Sequence, residues 1–311
     1  MLDVVYAIAG LSLLILGGNF LLKGSVDISL RLSIPKIVVG MTVVSFVTSA
    51  PELIVSLDSA LRGYPDLALS NVVGSNIANL GLVLGLTLLI GQMTVRRSFY
   101  ITDWPVMMAA SLLFFVFVDG DLVLGQTEGT VMVVALFLFL IYLLRFQKPA
   151  IEEALPEVFE MLPLYKTVFY LGAGGVALWG GSELLITGAV GLANLFHVSE
   201  RFIGITVVSV GTSIPELAAS IIAMLKKERA ISVGNLIGSN IFNLLGVLGI
   251  TAMVTPIQIR DTRLIEEDVF WLLGISFLLL PLVFFPQQKR LDWKDGLVLL
   301  VVYGFFLYFT Y

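Results

Sequence analysis

Two glutamates sit in surroundings where a carboxylate is out of place. Glu52 and Glu216 lie near the middle of apolar runs, and a carboxylate at bilayer depth costs roughly 2.5–3.5 kcal/mol. Each closes the same short pattern, Thr48-Ser49-Ala50-Pro51-Glu52 and Thr212-Ser213-Ile214-Pro215-Glu216. Spacings of three and four place Thr48, Ser49 and Glu52 on one helical face. Ser45 and Ser209 lie one turn earlier, Ser56 and Ser220 one turn later. Proline has no N–H and collides with the carbonyl four residues back. Pro51 and Pro215 therefore should break their helices and free the carbonyls of Val47 and Gly211, with Thr48 and Thr212 in the same distorted turn. At this depth such backbone is tolerated only where it lines a cavity or is buried in protein.

A second pair of patterns runs Asn71, Ser75, Asn79 and Asn235, Ser239, Asn243, each at a spacing of four. Ser75, Asn79, Ser239 and Asn243 read as ligands, and Asn76 and Asn240 equally as ligands or as packing. The donors are carboxylates, hydroxyls, amide oxygens and freed carbonyls. There is no cysteine and a single histidine, His197. Oxygen-only sets suit hard cations, with calcium taking six to eight ligands, whereas zinc or copper would call for sulfur or nitrogen. Two negative charges balance one Ca2+ or two Na+.

The elements that must position these residues follow from composition. The 311 residues are 58% hydrophobic and 13% charged, with a mean hydropathy of +0.99. Soluble domains carry roughly twice that charge. A spanning helix needs about 20 apolar residues, and ten runs qualify: 3–22, 37–61, 67–91, 100–118, 125–144, 165–189, 202–225, 230–254, 268–286 and 296–310. The first has Asp3 in place of a basic start and is expected to be a retained span. Alternate loops hold 14 of the 18 lysines and arginines. The positive-inside rule then puts both termini outside and loop 146–164 in the cytoplasm. A net charge of −5 with no long basic stretch excludes nucleic-acid binding, and no catalytic triad, phosphate loop or cofactor motif marks an enzyme.

Shifted by 164 positions, residues 40–87 overlie 204–251 without a gap, and 23 of the 48 positions are identical. Five spans separate the copies, so they cross the bilayer in opposite senses. Inverted repeats with interrupted helices and a midplane site are the architecture of many secondary transporters. The expected fold is all-α. It has ten transmembrane helices as two inverted five-helix repeats (1–145 and 165–311, joined by the linker 146–164), with broken helices 2, 3, 7 and 8 around a midplane ion site.

The T-S-x-P-E and G-S-N-x-x-N pairs resemble the two alpha repeats of the calcium/cation antiporter superfamily, specifically its prokaryotic sodium/calcium exchanger branch. The resemblance implies a Na+/Ca2+ antiporter working by alternating access in a prokaryotic inner membrane. Its partners would be Ca2+, Na+ and the lipid bilayer, with no cofactor, and it would function as a monomer. It further implies a central Ca2+ site of the Glu52 and Glu216 carboxylates and the Thr48 and Thr212 carbonyls. Sodium sites would flank it, drawing on Ser45, Ser49, Ser75, Ser209, Ser213 and Ser239, with Asn79 near the centre. Two departures stand out. Asn243 replaces an aspartate found in some members, which leaves stoichiometry and K+ dependence open, and Val47 replaces a glycine. A Ca2+/H+ exchanger on the same fold is the main alternative, and a passive channel a more distant one. Glycines in spans 1 and 6 (Gly10, Gly17, Gly18 and Gly24; Gly172, Gly174, Gly175, Gly180, Gly181 and Gly188) fit either sliding surfaces or close packing.

Overall fold

Apolar runs of this length can satisfy their backbone only as helices, and helices dominate the computed structural model, which describes residues 2–147, 161–195, 211–285 and 289–310. In chain order, the described helices are α1 (Leu2–Leu32), α2 (Lys36–Thr48), α3 (Ala50–Leu61), α4 (Pro65–Ile90), α5 (Phe99–Val118), α6 (Gln126–Phe146), α7 (Leu164–Leu195), α8 (Ile214–Leu225), α9 (Arg229–Val254), α10 (Leu264–Phe284) and α11 (Trp293–Thr310). Among the described residues, eight helices are long and apolar enough to cross a membrane, or nine if α2 and α3 are one bent span. The first part of the seventh expected run, 202–210, lies outside the described residues, as does most of the linker.

The prolines act where they were expected to. The chain leaves helical geometry at Ser49 (φ −84°, ψ 1°) and restarts as α3 with Pro51 in the first turn. Ser213 has the same geometry (φ −87°, ψ 2°) directly before α8, with Pro215 in the first turn. Proline suits a first helical turn, where its missing N–H has no partner to lose. The third and eighth spans differ from expectation. They stay continuous, and their irregularity is a π-helical turn, Asn79–Val83 in α4 and Phe242–Leu248 in α9. No proline occupies either stretch, and a π turn absorbs an extra residue without ending the helix.

The chain forms two compact units, Met1–Thr48 with Leu138–Asn235, and Ser49–Phe137 with Leu236–Tyr311. In the first, α1 and α7 pack along most of their length. They meet through glycines spaced by seven, Gly10, Gly17 and Gly24 against the stretch holding Gly174, Gly181 and Gly188. A Cβ at Gly174 would lie 2.6 Å from the Leu21 nitrogen, and one at Gly181 2.9 Å from the Leu14 nitrogen. The other glycines do different work. Gly18 faces Ile222 and Gly175 faces Val47, while Gly172 and Gly180 have nothing within 4 Å. Leu14, Leu21, Leu178, Ile222 and Ala223 form the apolar core beside the seam. With 31 residues, α1 extends about 46 Å, well beyond the ~30 Å hydrocarbon core. Asp27, in its last turns, is fully buried. It accepts hydrogen bonds from Thr167 Oγ1 (2.5 Å) and the Leu162 nitrogen (2.9 Å), and Arg31 lies 3.4 Å away.

The second unit repeats its own contacts. Gly85 of α4 crosses Gly296 of α11, and Gly249 of α9 crosses Gly129 of α6. A Cβ at Gly85 or at Gly249 would lie 3.1 Å from the partner glycine's oxygen, and one at Gly296 or Gly129 would lie 2.7 Å from it. Two short antiparallel ribbons follow the same pairing, Met93–Thr94 with Arg290–Leu291 and Val123–Leu124 with Ile257–Gln258. These correspondences carry the internal repeat past its aligned segments to α6 and α11.

Candidate ion-binding site

Both units contain an acidic residue at the first turn of a helix that starts inside the protein. Glu52 in α3 and Glu216 in α8 are each 0% exposed. The amide end of a helix favours negative charge, so the break created by proline also supplies the local potential that suits each carboxylate. The serine before each helix stands where a side chain ordinarily caps the amides, yet neither Ser49 nor Ser213 makes that cap bond. Their hydroxyl oxygens are buried and have no hydrogen-bond partner among the described residues. A buried hydroxyl left in this state is destabilising by about 1–3 kcal/mol, which a bound cation would relieve.

In the first unit, the end of α2 packs on α8, bringing Ser45 and Thr48 to the helix of Glu216. Ser45 Oγ is within bonding distance of the carbonyls of Gly40 (2.8 Å) and Asn235 (3.0 Å). Its proton is thus directed at backbone, which leaves the oxygen's lone pairs for another partner. Thr48 Oγ1 donates to Asn235 Oδ1 at 3.2 Å, and Asn235 Nδ2 donates to Ser220 Oγ at 3.2 Å. The Gly211 carbonyl, freed by Pro215 as expected, accepts a bond from Ser182 Oγ of α7 at 2.9 Å. The repeat places Gly18 opposite Ser182, so no sequence signal pointed to this contact. Thr212 is half-buried beside Ser213, and Ser209 lies outside the described residues.

In the second unit, α3 packs against α4 and against the π turn of α9. Ser75, Asn79, Ser239 and Asn243 are all buried on these elements. Asn71 Nδ2 donates to Ser56 Oγ at 2.9 Å, the repeat counterpart of the Asn235–Ser220 bond. Asn79, the first residue of its π turn, has both amide atoms buried without a partner among the described residues, and Asn243 has its Oδ1 in that state. Asn243 Nδ2 donates to Asn76 Oδ1 at 3.0 Å. Asp58 pairs with Arg62 at 2.7 Å in an exposed position, and Glu183 is exposed. Among the described residues, no cluster of three or more histidine, cysteine, aspartate or glutamate side chains could hold a metal. Each unit instead sets one buried glutamate near neutral oxygens, donors of the kind hard cations take.

Comparison with known proteins gives this arrangement a family. The family model described as sodium/calcium exchanger protein matches residues 2–145 and 166–311. The chain belongs to the sodium/calcium exchanger family. The putative antiporter CaxA of Alkalimonas amylolytica is 33% identical over 311 residues, covering 96% of this chain and 95% of that protein. The sodium/calcium exchanger MaX1 of Methanosarcina acetivorans is 26% identical over 341 residues, covering 96% and 95%. A solved structure of the sodium-calcium exchanger NCX_Mj, soaked with zero Na+ and Ca2+, matches with a TM-score of 0.82 at 26% identity, over 98% of this chain and 97% of that one. Membership in this family makes the chain a transporter rather than an enzyme.

Proposed function

We propose that this family member is a secondary active antiporter that exchanges Na+ for Ca2+ by alternating access. The observation that carries the reading is the repeated break. Two prolines start two helices, each with a fully buried glutamate in its first turn and an N-terminal serine whose hydroxyl caps nothing. The two copies are alike in backbone geometry, as a repeat serving one kind of ligand should be. Relatives named as antiporters and exchangers support the same reading.

On this reading Glu52 and Glu216, with the carbonyls of Thr48 and Thr212, hold Ca2+. Ser45, Ser49, Ser75, Ser209, Ser213, Ser239, Asn79 and Asn243 supply the neutral oxygens for Na+ and complete the calcium shell. The architecture is ten spans in two inverted five-span repeats, 1–145 and 165–311. The site lies at the bilayer midplane, and the linker 146–164 is cytoplasmic. Both termini face outside a prokaryotic inner membrane, and a single chain suffices for exchange. Lysines and arginines at 14 against 4 across the two faces support that orientation.

The test is 45Ca2+ uptake into proteoliposomes under an outward Na+ gradient with no pH gradient. Uptake is expected in the wild-type protein and should be abolished by Glu52→Gln and by Glu216→Gln, with both variants folded. Transport retained by either variant would refute the ligand assignment. Uptake that ignores Na+ and requires a pH gradient would replace Na+ coupling with proton coupling.

A further inference from the structure

Four asparagines of the second unit are not equivalent, although the repeat pairs them as Asn76 with Asn240 and Asn79 with Asn243. Asn76 Nδ2 donates to the main-chain carbonyl of Asn240 at 3.2 Å. A carbonyl oxygen can only accept, so this bond fixes which end of the Asn76 amide faces which way. Oδ1 of Asn76 is thereby turned toward Asn243, and the atom of Asn243 that can meet it is Nδ2, at 3.0 Å. Asn243 is 0% exposed, and its Oδ1 has no hydrogen-bond partner among the described residues. One backbone carbonyl therefore sets the sense of two amides in series.

We infer that Asn76 is a positioning residue for ion binding: it holds the Asn243 amide with its oxygen, and not its nitrogen, available to a cation. An amide NH2 group presents partially positive hydrogens and has no free lone pair, so it would repel the ion, and the sense of the amide decides whether Asn243 is a ligand at all. Asn240 does not do this for Asn79. Its Nδ2 donates back to the Leu236 carbonyl of its own helix at 2.8 Å, and its Oδ1 is left without a partner among the described residues. Asn79 accordingly has neither amide atom engaged among the described residues. Of two residues the repeat makes equivalent, one is oriented in advance and the other must be oriented by the ion. Preorganisation of this kind raises affinity because less ordering remains to be done on binding.

This inference rests on the assignment of Asn243 as a ligand, and the experiment separates the two claims. Ca2+ titrations of Na+-driven uptake in proteoliposomes give KM and maximal rate for Asn76→Leu, Asn243→Ala and the double variant. Loss of one orienting hydrogen bond predicts a KM for Asn76→Leu raised about threefold to tenfold, with the maximal rate within about twofold of wild type. Because Asn76 acts through Asn243, the double variant should have the KM of Asn243→Ala alone, the signature of full coupling in a double-mutant cycle. An unchanged KM in Asn76→Leu, or effects that multiply in the double variant, would overturn the proposal. If Asn76→Leu is not recovered folded, Asn76→Ala completes the same cycle. Glu52→Gln is measured alongside. If it abolishes uptake while Asn76→Leu leaves KM unchanged, only the positioning role falls. If Glu52→Gln still transports, the site assignment falls and takes this inference with it.

Discussion

The α1–α7 seam offers a sharp test of how the first unit is held together. Gly174→Ala adds one methyl group against backbone. Its Cβ would stand 2.6 Å from the Leu21 nitrogen and 3.0 Å from the Gly17 oxygen and the Leu21 Cα. Comfortable carbon contacts begin near 3.5 Å, so the helices must part by roughly half an ångström to one ångström. No side chain can move aside, because the obstructing atoms are main chain. Separation also loosens Leu21 and Leu178, which are 1% and 0% exposed. Overpacking of this kind costs about 1–3 kcal/mol. Alanine's advantage over glycine in a helix, about 0.5–1 kcal/mol, offsets part of it, leaving a net loss of roughly 0.5–2 kcal/mol. Gly172→Ala and Gly180→Ala on the same helix meet nothing within 4 Å, so they keep only the gain. Thermal unfolding of the purified protein in detergent, followed by tryptophan fluorescence, should therefore lower Tm for Gly174→Ala and leave it equal or higher for the two controls. A Gly174→Ala protein that melts with Gly172→Ala would show that the helices do not touch as described.

Two other predictions concern polar groups. Asp27→Ala removes the acceptor for three hydrogen bonds, from Thr167 Oγ1 and the Leu162 nitrogen at 2.5 and 2.9 Å and from Arg31 at 3.4 Å. At about 1.5–3 kcal/mol per charge-assisted bond, the loss should reach about 3 kcal/mol or more in equilibrium unfolding, and a change below about 1 kcal/mol would mean that the buried cluster does not tie α1 to α7. Asn243→Asp places an acid against Asn76 Oδ1, so Na+, K+ and H+ titrations of transport should shift from those of the wild-type protein, and superimposable titrations would count against a role for this side chain in the ion path.

Much of the fold was legible because its determinants are local. A helix that crosses a bilayer announces itself by length and composition, and the described helices fall on the expected runs. The serine–proline breaks were equally legible, since proline acts on its own helix within four residues. The π turns at Asn79–Val83 and Phe242–Leu248 were not, because no residue type demands them. The role of Asp27 is not legible in the sequence for a related reason. The apolar run ended at residue 22, whereas α1 continues to Leu32, and its final turns are buried by contacts from residues more than 130 positions away.

Among the candidate ligands the same division holds. Sequence alone determined that this chain is a bundle of membrane helices, that it repeats itself, and that oxygen-bearing side chains recur at fixed spacings from Glu52 in one copy and from Glu216 in the other. These are properties of residue type and spacing, which bilayer and backbone constrain one segment at a time. Tertiary structure alone decided which oxygens are already occupied and which remain available. Ser182 takes the carbonyl freed at Gly211, the Ser45 hydroxyl turns to backbone, Ser49 and Ser213 cap nothing, and the Asn76 amide sets the sense of Asn243. A hydrogen bond between distant segments depends on which helical faces meet and at what depth, and spacing within one helix does not encode that. The repeat makes Asn79 and Asn243 identical in sequence, and only their neighbours make them different.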